Sequence, residues 1–351
     1  VTGTATTPQG NGSSPTGSRW RQTLHRLRRR RVPEAPPPQT AFVLAGGGSR
    51  GAVQVGMLAE LTRRGIVADR VYGASVGAVN GAAYASDPTP AGVEHLEEVW
   101  RGLSGNDVFP RGRMDGPWMF FQQRPAVHPN TGLRSIIEAG ISYERIEDAA
   151  LPFEVVTTSL TDGAERWITR GPAVDAVLAS AAIPAIFPPV VIDGDSLVDG
   201  GVVNNVPISR AIDGGATRIY VLLCGPLRYV PREARRPVEA VFTAFFVAIH
   251  ARFVRELSQL PPGVEVVVFS GGGEPASAYR DFSGTAELIE QGRAEVAATL
   301  DREAGLSPDL RTGPNVTLSP SIVTDGTREM LLPPDLHHDG VGDDAVVPSG
   351  R

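Results

Sequence analysis

The chain has 351 residues, 41% hydrophobic and 21% charged, with a formal net charge of −6 at pH 7. Those proportions are globular, and the length suffices to bury a substantial core. One cysteine, Cys224, excludes an internal disulfide and any cysteine metal cluster, which fits a reducing cytoplasm.

The charge is unevenly spread. The first 31 residues hold seven arginines (Arg19, Arg21, Arg26, Arg28, Arg29, Arg30, Arg31) and no acid, leaving 26 arginines against 39 acids in the remainder. Residues 1–40, rich in Gly, Ser, Thr, Pro and Arg, read as a disordered arm. Such an arm is plainly solvated, and its charge also suits contact with an anionic membrane; no nucleic-acid partner is expected. The arginines run into 32-VPEAPPPQT-40, not an apolar stretch, so no signal peptide is expected. The greasy run 240-AVFTAFFVAI-249 is too short to span a bilayer. A cytoplasmic location follows as the expectation, with the arm as a peripheral contact at the inner face of the membrane. Lysine is absent, and with abundant Ala, Gly, Pro and Val this suggests a GC-rich bacterial genome.

From residue 41 strands and helices alternate. The run 41-AFVLA-45 is short, apolar and stopped by glycines, as a buried parallel strand should be. The segment 52–65 places Val53, Val55, Met57, Leu58 and Leu61 mostly on one helical side, with Gly65 as the C-cap. A strand over 66–74, a small-residue helix over 76–86 and an amphipathic helix over 92–103 follow. Residues 104–131 mix Pro, Gly and aromatics (Phe109, Trp118, Phe120, Phe121) and suit an irregular excursion that either lines the entrance of an apolar site or packs onto the body. Strands over 153–160 and 163–171, a helix over 173–182, and a hairpin over 188–201 turning at Asp193-Gly194 come next. A strand at 218–223, a helix at 237–258, a strand at 264–270 and a helix at 285–304 complete one α/β domain spanning 41–304. Residues 305–351 read as a mostly disordered tail.

Three glycine-marked sites stand out. In 46-GGGSRG-51, between strand and helix, glycines let main-chain amides approach a ligand beside a helix N-terminus. Taken alone it also satisfies the dinucleotide fingerprint, with Asp69 at about the spacing of a ribose contact. In 73-GASVG-77, Ser75 sits at a predicted strand-to-helix turn; Gly73 and Gly77 clear the space that a nucleophile elbow needs, and the Val76 amide is one candidate oxyanion donor. In 198-VDGGVVNNVP-207, Asp199 ends a predicted strand before Gly200 and Gly201, where an Asp-Gly pair is by itself an ordinary turn.

In this order, the Gly46–Gly51 loop, the Gly73–Gly77 elbow and Asp199-Gly200-Gly201 resemble the patatin-like phospholipase family. The segments 177-VLASAAIPAIFPPV-190 and 202-VVNNVP-207 look like family sequence too. The resemblance implies a three-layer α/β/α patatin-like fold with a mostly parallel central sheet. It implies a serine lipid acyl hydrolase (phospholipase, lysophospholipase or esterase) with Ser75 as nucleophile and Asp199 as base. Gly46, Gly47, Gly48 and Arg50 would form the oxyanion hole, with Gly51, Gly73, Gly77, Gly200 and Gly201 as motif glycines. No metal or organic cofactor is implied, and the substrate is a lipid acyl ester. One departure is Ala45, where many plant members carry an acid before the glycine loop.

Two rival readings remain. A Ser-His-Asp esterase needs a histidine after the acid, and only His250 follows Asp199 within the body. A non-catalytic lipid- or nucleotide-binding relative would use the Gly46–Gly51 loop. The tail's His337-His338-Asp339 reads as solvated rather than metal-binding.

Overall fold

The computed structural model describes residues 2–3, 39–110, 126–226, 237–271, 281–305, 311–313 and 316–319. The chain divides into two units, Val1–Pro37, of which only Thr2 and Gly3 are described, and Pro38–Arg351, which holds every strand and helix named below. The arginine arm, Trp118, Phe120, Phe121 and the His337-His338-Asp339 run lie outside the described residues.

Strand β1 (Thr40–Leu44) ends at the glycines, which pass through a 3-10 turn (Gly48–Gly51) into helix α1 (Ala52–Arg63). Strand β2 (Arg70–Gly73) leads into α2 (Val76–Ser86). Helix α3 (Pro90–Gly102) starts on Pro90 and is capped by Thr89, whose Oγ1 accepts from the Gly92 amide. Helices α4 (Gly105–Val108) and α5 (Thr131–Gly140) follow, the former opened by a Ser104/Asp107 capping box. Then come β3 (Phe153–Ser159), β4 (Glu165–Ile168) and α6 (Ala173–Ser180). The hairpin β5 (Val190–Ile192) and β6 (Asp195–Asp199) precedes α7 (Gly201–Asn204), α8 (Ile208–Asp213) and β7 (Arg218–Leu222). The chain continues through α9 (Pro237–Ser258), β8 (Glu265–Phe269), α10 (Thr285–Gly305), β9 (Arg311–Gly313) and β10 (Val316–Leu318).

The strands form one sheet in the order β5-β6-β3-β2-β1-β7-β8-β10-β9, with β4 also paired to β3. The six strands from β3 to β10 are parallel, and among the described residues antiparallel pairs occur only at the margins. Side chains alternate across the pleat. Phe42 and Leu44 join the core beneath α1, α2, α5 and α10, while Ala41 and Val43 join a second core with Ile208 and Ala211 of α8 and Phe253 and Leu257 of α9. Two cores on opposite faces make the three-layer α/β/α arrangement that the alternating pattern predicts.

Three expectations need correction. The strand predicted over 66–74 begins only at Arg70, because Ile66 closes the preceding helix: its amide donates to Leu61 O at 3.0 Å while Gly65 takes φ 74. The sheet continues past residue 304, where the short run Val316–Leu318 pairs with Val266–Val268 and buries Leu318 completely. The excursion predicted over 104–131 contains the α4 turn, and Phe109 is buried in a stack on Phe187 with ring centroids 5.3 Å apart.

Candidate active site

Ser75 lies between β2 and α2, at the first bend after the strand. Its backbone takes φ 54 and ψ −126, a conformation few non-glycine residues adopt and one that costs about 1–3 kcal/mol. The turn is tight because its flanks come against backbone: a Cβ on Gly77 would fall 2.1 Å from Leu44 O, and one on Gly73 would fall 2.6 Å from Ala78 Cα. The Ser75 amide donates to Ser180 Oγ at 3.1 Å, which pins the bend from the end of α6.

Asp199 reaches the serine from β6. Ser75 Oγ donates to Asp199 Oδ2 at 2.6 Å, and the Gly201 amide donates to the other oxygen, Oδ1, at 2.7 Å. Both residues are buried, at 6% and 4% exposure. Burial pushes the Asp199 carboxyl up to about 6, against the opposing pull of the Ser75 hydroxyl and the Gly201 amide. The backbone of Asp199 is held as well: its amide donates to Ala182 O and its carbonyl accepts from Thr158 Oγ1. Gly200 and Gly201 carry the chain from the strand into α7, and the Gly200 amide donates to Ser180 O. Ser180 therefore ties the serine bend to the aspartate turn.

The glycine loop lies beside the serine. Gly48 and Ser49 line the same cavity as Ser75. Among the described residues, no backbone acceptor is seen for the amides of Gly47, Gly48 or Val76, and of the three residues Gly48 and Val76 line the cavity while Gly47 does not. Gly46 is braced by Asn205, whose carbonyl accepts from the Gly46 amide at 3.3 Å. Gly47 packs onto Cys224, where an added Cβ would fall 2.1 Å from the Cys224 Cβ. Gly51 precedes α1, and its carbonyl accepts from Asn80 Nδ2 at 3.0 Å.

Arg50, expected at the oxyanion hole, holds its side chain away from the cavity. Its guanidinium turns towards Gly225, whose Cβ position would be 2.7 Å from Nη1, and it does not line the cavity. Desolvation lowers its pKa, the neighbouring Cys224 opposing the shift. Burial in turn pushes the Cys224 thiol up to about 12.

From Ser75 a cavity of about 510 Å³ opens between α3 and α5. Its walls are predominantly apolar, with Val79, Leu96, Val99, Ile136 and Phe187 among them. His95 stands on its lining, exposed and 3.9 Å from Glu98. The other histidine weighed from the sequence, His250 on α9, has a pKa lowered by burial, and its Nε2 has no partner among the described residues. No histidine nitrogen is among the hydrogen-bond partners of Asp199 or Ser75. Asp69, the residue spaced for a ribose, instead accepts from the Thr40 amide at 2.7 Å, so its carboxylate is engaged within the sheet. Among the described residues no helix is long and apolar enough to cross a membrane.

Residues 42–212 match the family model described as patatin-like phospholipase. The lysophospholipase NTE1 of Mycosarcoma maydis is 32% identical over 191 residues, covering 53% of this chain and 10% of that protein. The mouse patatin-like phospholipase domain-containing protein 7 is 32% identical over 187 residues, covering 53% and 13%. The neuropathy target esterase sws of Drosophila melanogaster is 31% identical over 192 residues, covering 52% and 13%. The shared segment thus spans only 10% to 13% of these relatives' length. Among solved structures, VipD from Legionella pneumophila is 16% identical with a TM-score of 0.44, covering 76% of this chain and 67% of its own. The matched segment, residues 42–212, contains the glycine loop, the serine bend and the aspartate, and it is this part of the chain that is similar to the patatin-like phospholipase family.

Proposed function

We propose that the protein is a serine lipid acyl hydrolase, with Ser75 as nucleophile and Asp199 as its base. The observation that carries this reading is the 2.6 Å hydrogen bond to Asp199 Oδ2 from the Oγ of Ser75, which lines an apolar cavity. With its pKa near 6, Asp199 is ionised at neutral pH and still basic enough to accept a proton in the transition state.

The reaction runs in two halves. Ser75 Oγ attacks the ester carbonyl carbon and its proton passes to Asp199 Oδ2. The negative charge collects on the carbonyl oxygen, where the amides of Gly47, Gly48 and Val76 can donate to it, aided by the N-terminus of α2. Collapse expels the alcohol, which takes the proton from Asp199 and leaves an acyl group on Ser75. Water then attacks the acyl carbon and gives its proton to Asp199; the serine oxygen leaves with that proton, and the fatty acid is released. The substrate is an acyl ester of a phospholipid, lysophospholipid or neutral glyceride.

A fluorophosphonate probe tests the reading directly. The parent protein should be labelled and should hydrolyse members of a lipid ester panel, whereas Ser75→Ala should do neither. Absence of labelling in the parent, or labelling that persists in Ser75→Ala, overturns it.

A further inference from the structure

Helix α2 forms one side of the cavity, and the residues it contributes indicate what the cavity measures. Val76, Val79, Ala83 and Ser86 all line it, at a spacing that places them in one stripe along α2. The stripe begins next to Ser75 and ends at Ser86, eleven residues on, a distance of about 16 Å at the helical rise. Helix α3 forms one wall with Leu96 and Val99, and α5 forms the other with Leu133 and Ile136.

The far end is polar. Ser86 Oγ and Ser142 Oγ share a 2.8 Å hydrogen bond, and the Ser142 amide also donates to Ser86 Oγ at 2.8 Å. Asp87 lies beside them, and both Asp87 and Ser142 are exposed. Apolar walls therefore run from the reactive hydroxyl to a pair of bonded serines facing water.

We infer that this groove is a ruler for a single unbranched acyl chain, with α2 as its scale and the Ser86–Ser142 pair as its end mark. The inference rests on the reading of Ser75 as nucleophile. An extended hydrocarbon chain advances about 1.25 Å per carbon, given C–C bonds of about 1.5 Å. The floor therefore accommodates about 13 carbons beyond the ester carbonyl. Up to that length each methylene leaves water for the groove and raises kcat/KM about fourfold at full burial, less where the groove is open. Beyond it, further carbons pass the serines into solvent and add little. Ala83, eight residues from Ser75, marks about 12 Å on this scale. A large side chain there would block the floor at roughly nine carbons.

The test is a series of nitrophenyl esters from butyryl to octadecanoyl, with each rate taken relative to the butyryl ester of the same protein. The parent should show kcat/KM rising to about tetradecanoyl and then levelling; Ala83→Phe should level at about decanoyl. In parallel, the Ser75→Ala protein should bind free fatty acids with an affinity that levels at the parent's length, which tests the groove without any hydrolysis. If esters are hydrolysed with no break in either series, or if Ala83→Phe keeps the parent's break while still being labelled by the fluorophosphonate, the ruler is wrong and the nucleophile stands. If nothing is hydrolysed or labelled but the binding series breaks at the expected length, the groove reading stands and the catalytic one falls.

Discussion

Trp100 Nε1 donates to Asn80 Oδ1 at 2.8 Å, joining a wall of the cavity to the helix that follows Ser75. Asn80 Nδ2 in turn donates to Gly51 O at 3.0 Å and to Gln54 Oε1 at 2.9 Å. Gln54 Nε2 donates to Ala45 O at 2.8 Å and Leu222 O at 2.9 Å, reaching the ends of β1 and β7. A buried chain of satisfied polar groups thus ties the serine helix, the glycine loop and the sheet together. Asn80→Ala leaves the Trp100 donor and the Gln54 and Gly51 acceptors unmet. The expected loss is about 2–4 kcal/mol, read from the urea unfolding midpoint.

Gly77 and Gly102 should respond oppositely to the same change. A methyl group on Gly77 would meet the Leu44 carbonyl at 2.1 Å, whereas nothing lies within 4 Å of the corresponding position on Gly102. Gly77→Ala is expected to cost more than about 4 kcal/mol or prevent folding, because both sides of the contact are backbone. Gly102→Ala should be neutral or raise the melting temperature by a degree or two, on the order of 0.5 kcal/mol.

Replacing Ser75 separates strain from chemistry. Ser75→Gly removes the side chain from a residue at φ 54 and should stabilise the fold by about 1 kcal/mol while abolishing hydrolysis. Ser75→Ala abolishes hydrolysis equally but keeps a Cβ in the same conformation, so its melting temperature should rise less than that of the glycine variant.

Asp199 makes activity and stability move in opposite directions with pH. Its folded-state pKa of about 6 lies above the ordinary aspartate value of 3.8. As the proposed base, Asp199 is competent only when ionised, so kcat/KM should climb as pH rises through about 6.

Stability runs the other way, because the folded state holds the proton more tightly than the unfolded chain does. The favourable contribution of the protonated group is complete below about pH 4 and is lost as pH rises through about 6. The full effect is on the order of 3 kcal/mol. Asp199→Asn cannot ionise and should therefore melt above the parent at pH 8, with the gap closing towards pH 4. A gap of equal size at both pH values contradicts this account.

The chemistry legible in the sequence is the part that depends on local backbone. Glycines at 46–48, 73 and 77 announce places where the chain must pass close to itself, and Ser75 and Asp199 each sit at the junction such glycines create. The bracing residues carry no such mark. Ser180 lies among alanines in 177-VLASAA-182, and its role depends on the Ser75 amide 105 positions earlier. Asn80 and Gln54 read as ordinary polar residues on their helices until their mutual bond is known. Arg50 shows the converse: its motif position fixes its backbone, while its side chain follows the space left by Gly225. The strand Val316–Leu318 is too short to register as a pattern, and only its pairing with β8 and β9 identifies it.

The hairpin that ends in Asp199 turns through Asp193 and Gly194, both with positive φ (51 and 81), as a two-residue type I′ loop requires. Since neighbouring residues of a strand face opposite sides of the sheet, the length of that loop decides which side receives the Asp199 carboxylate. An exposed turn five residues upstream thus acts as the aiming device for the proposed base. A single inserted residue there is expected to abolish the proposed hydrolysis without altering the walls of the cavity.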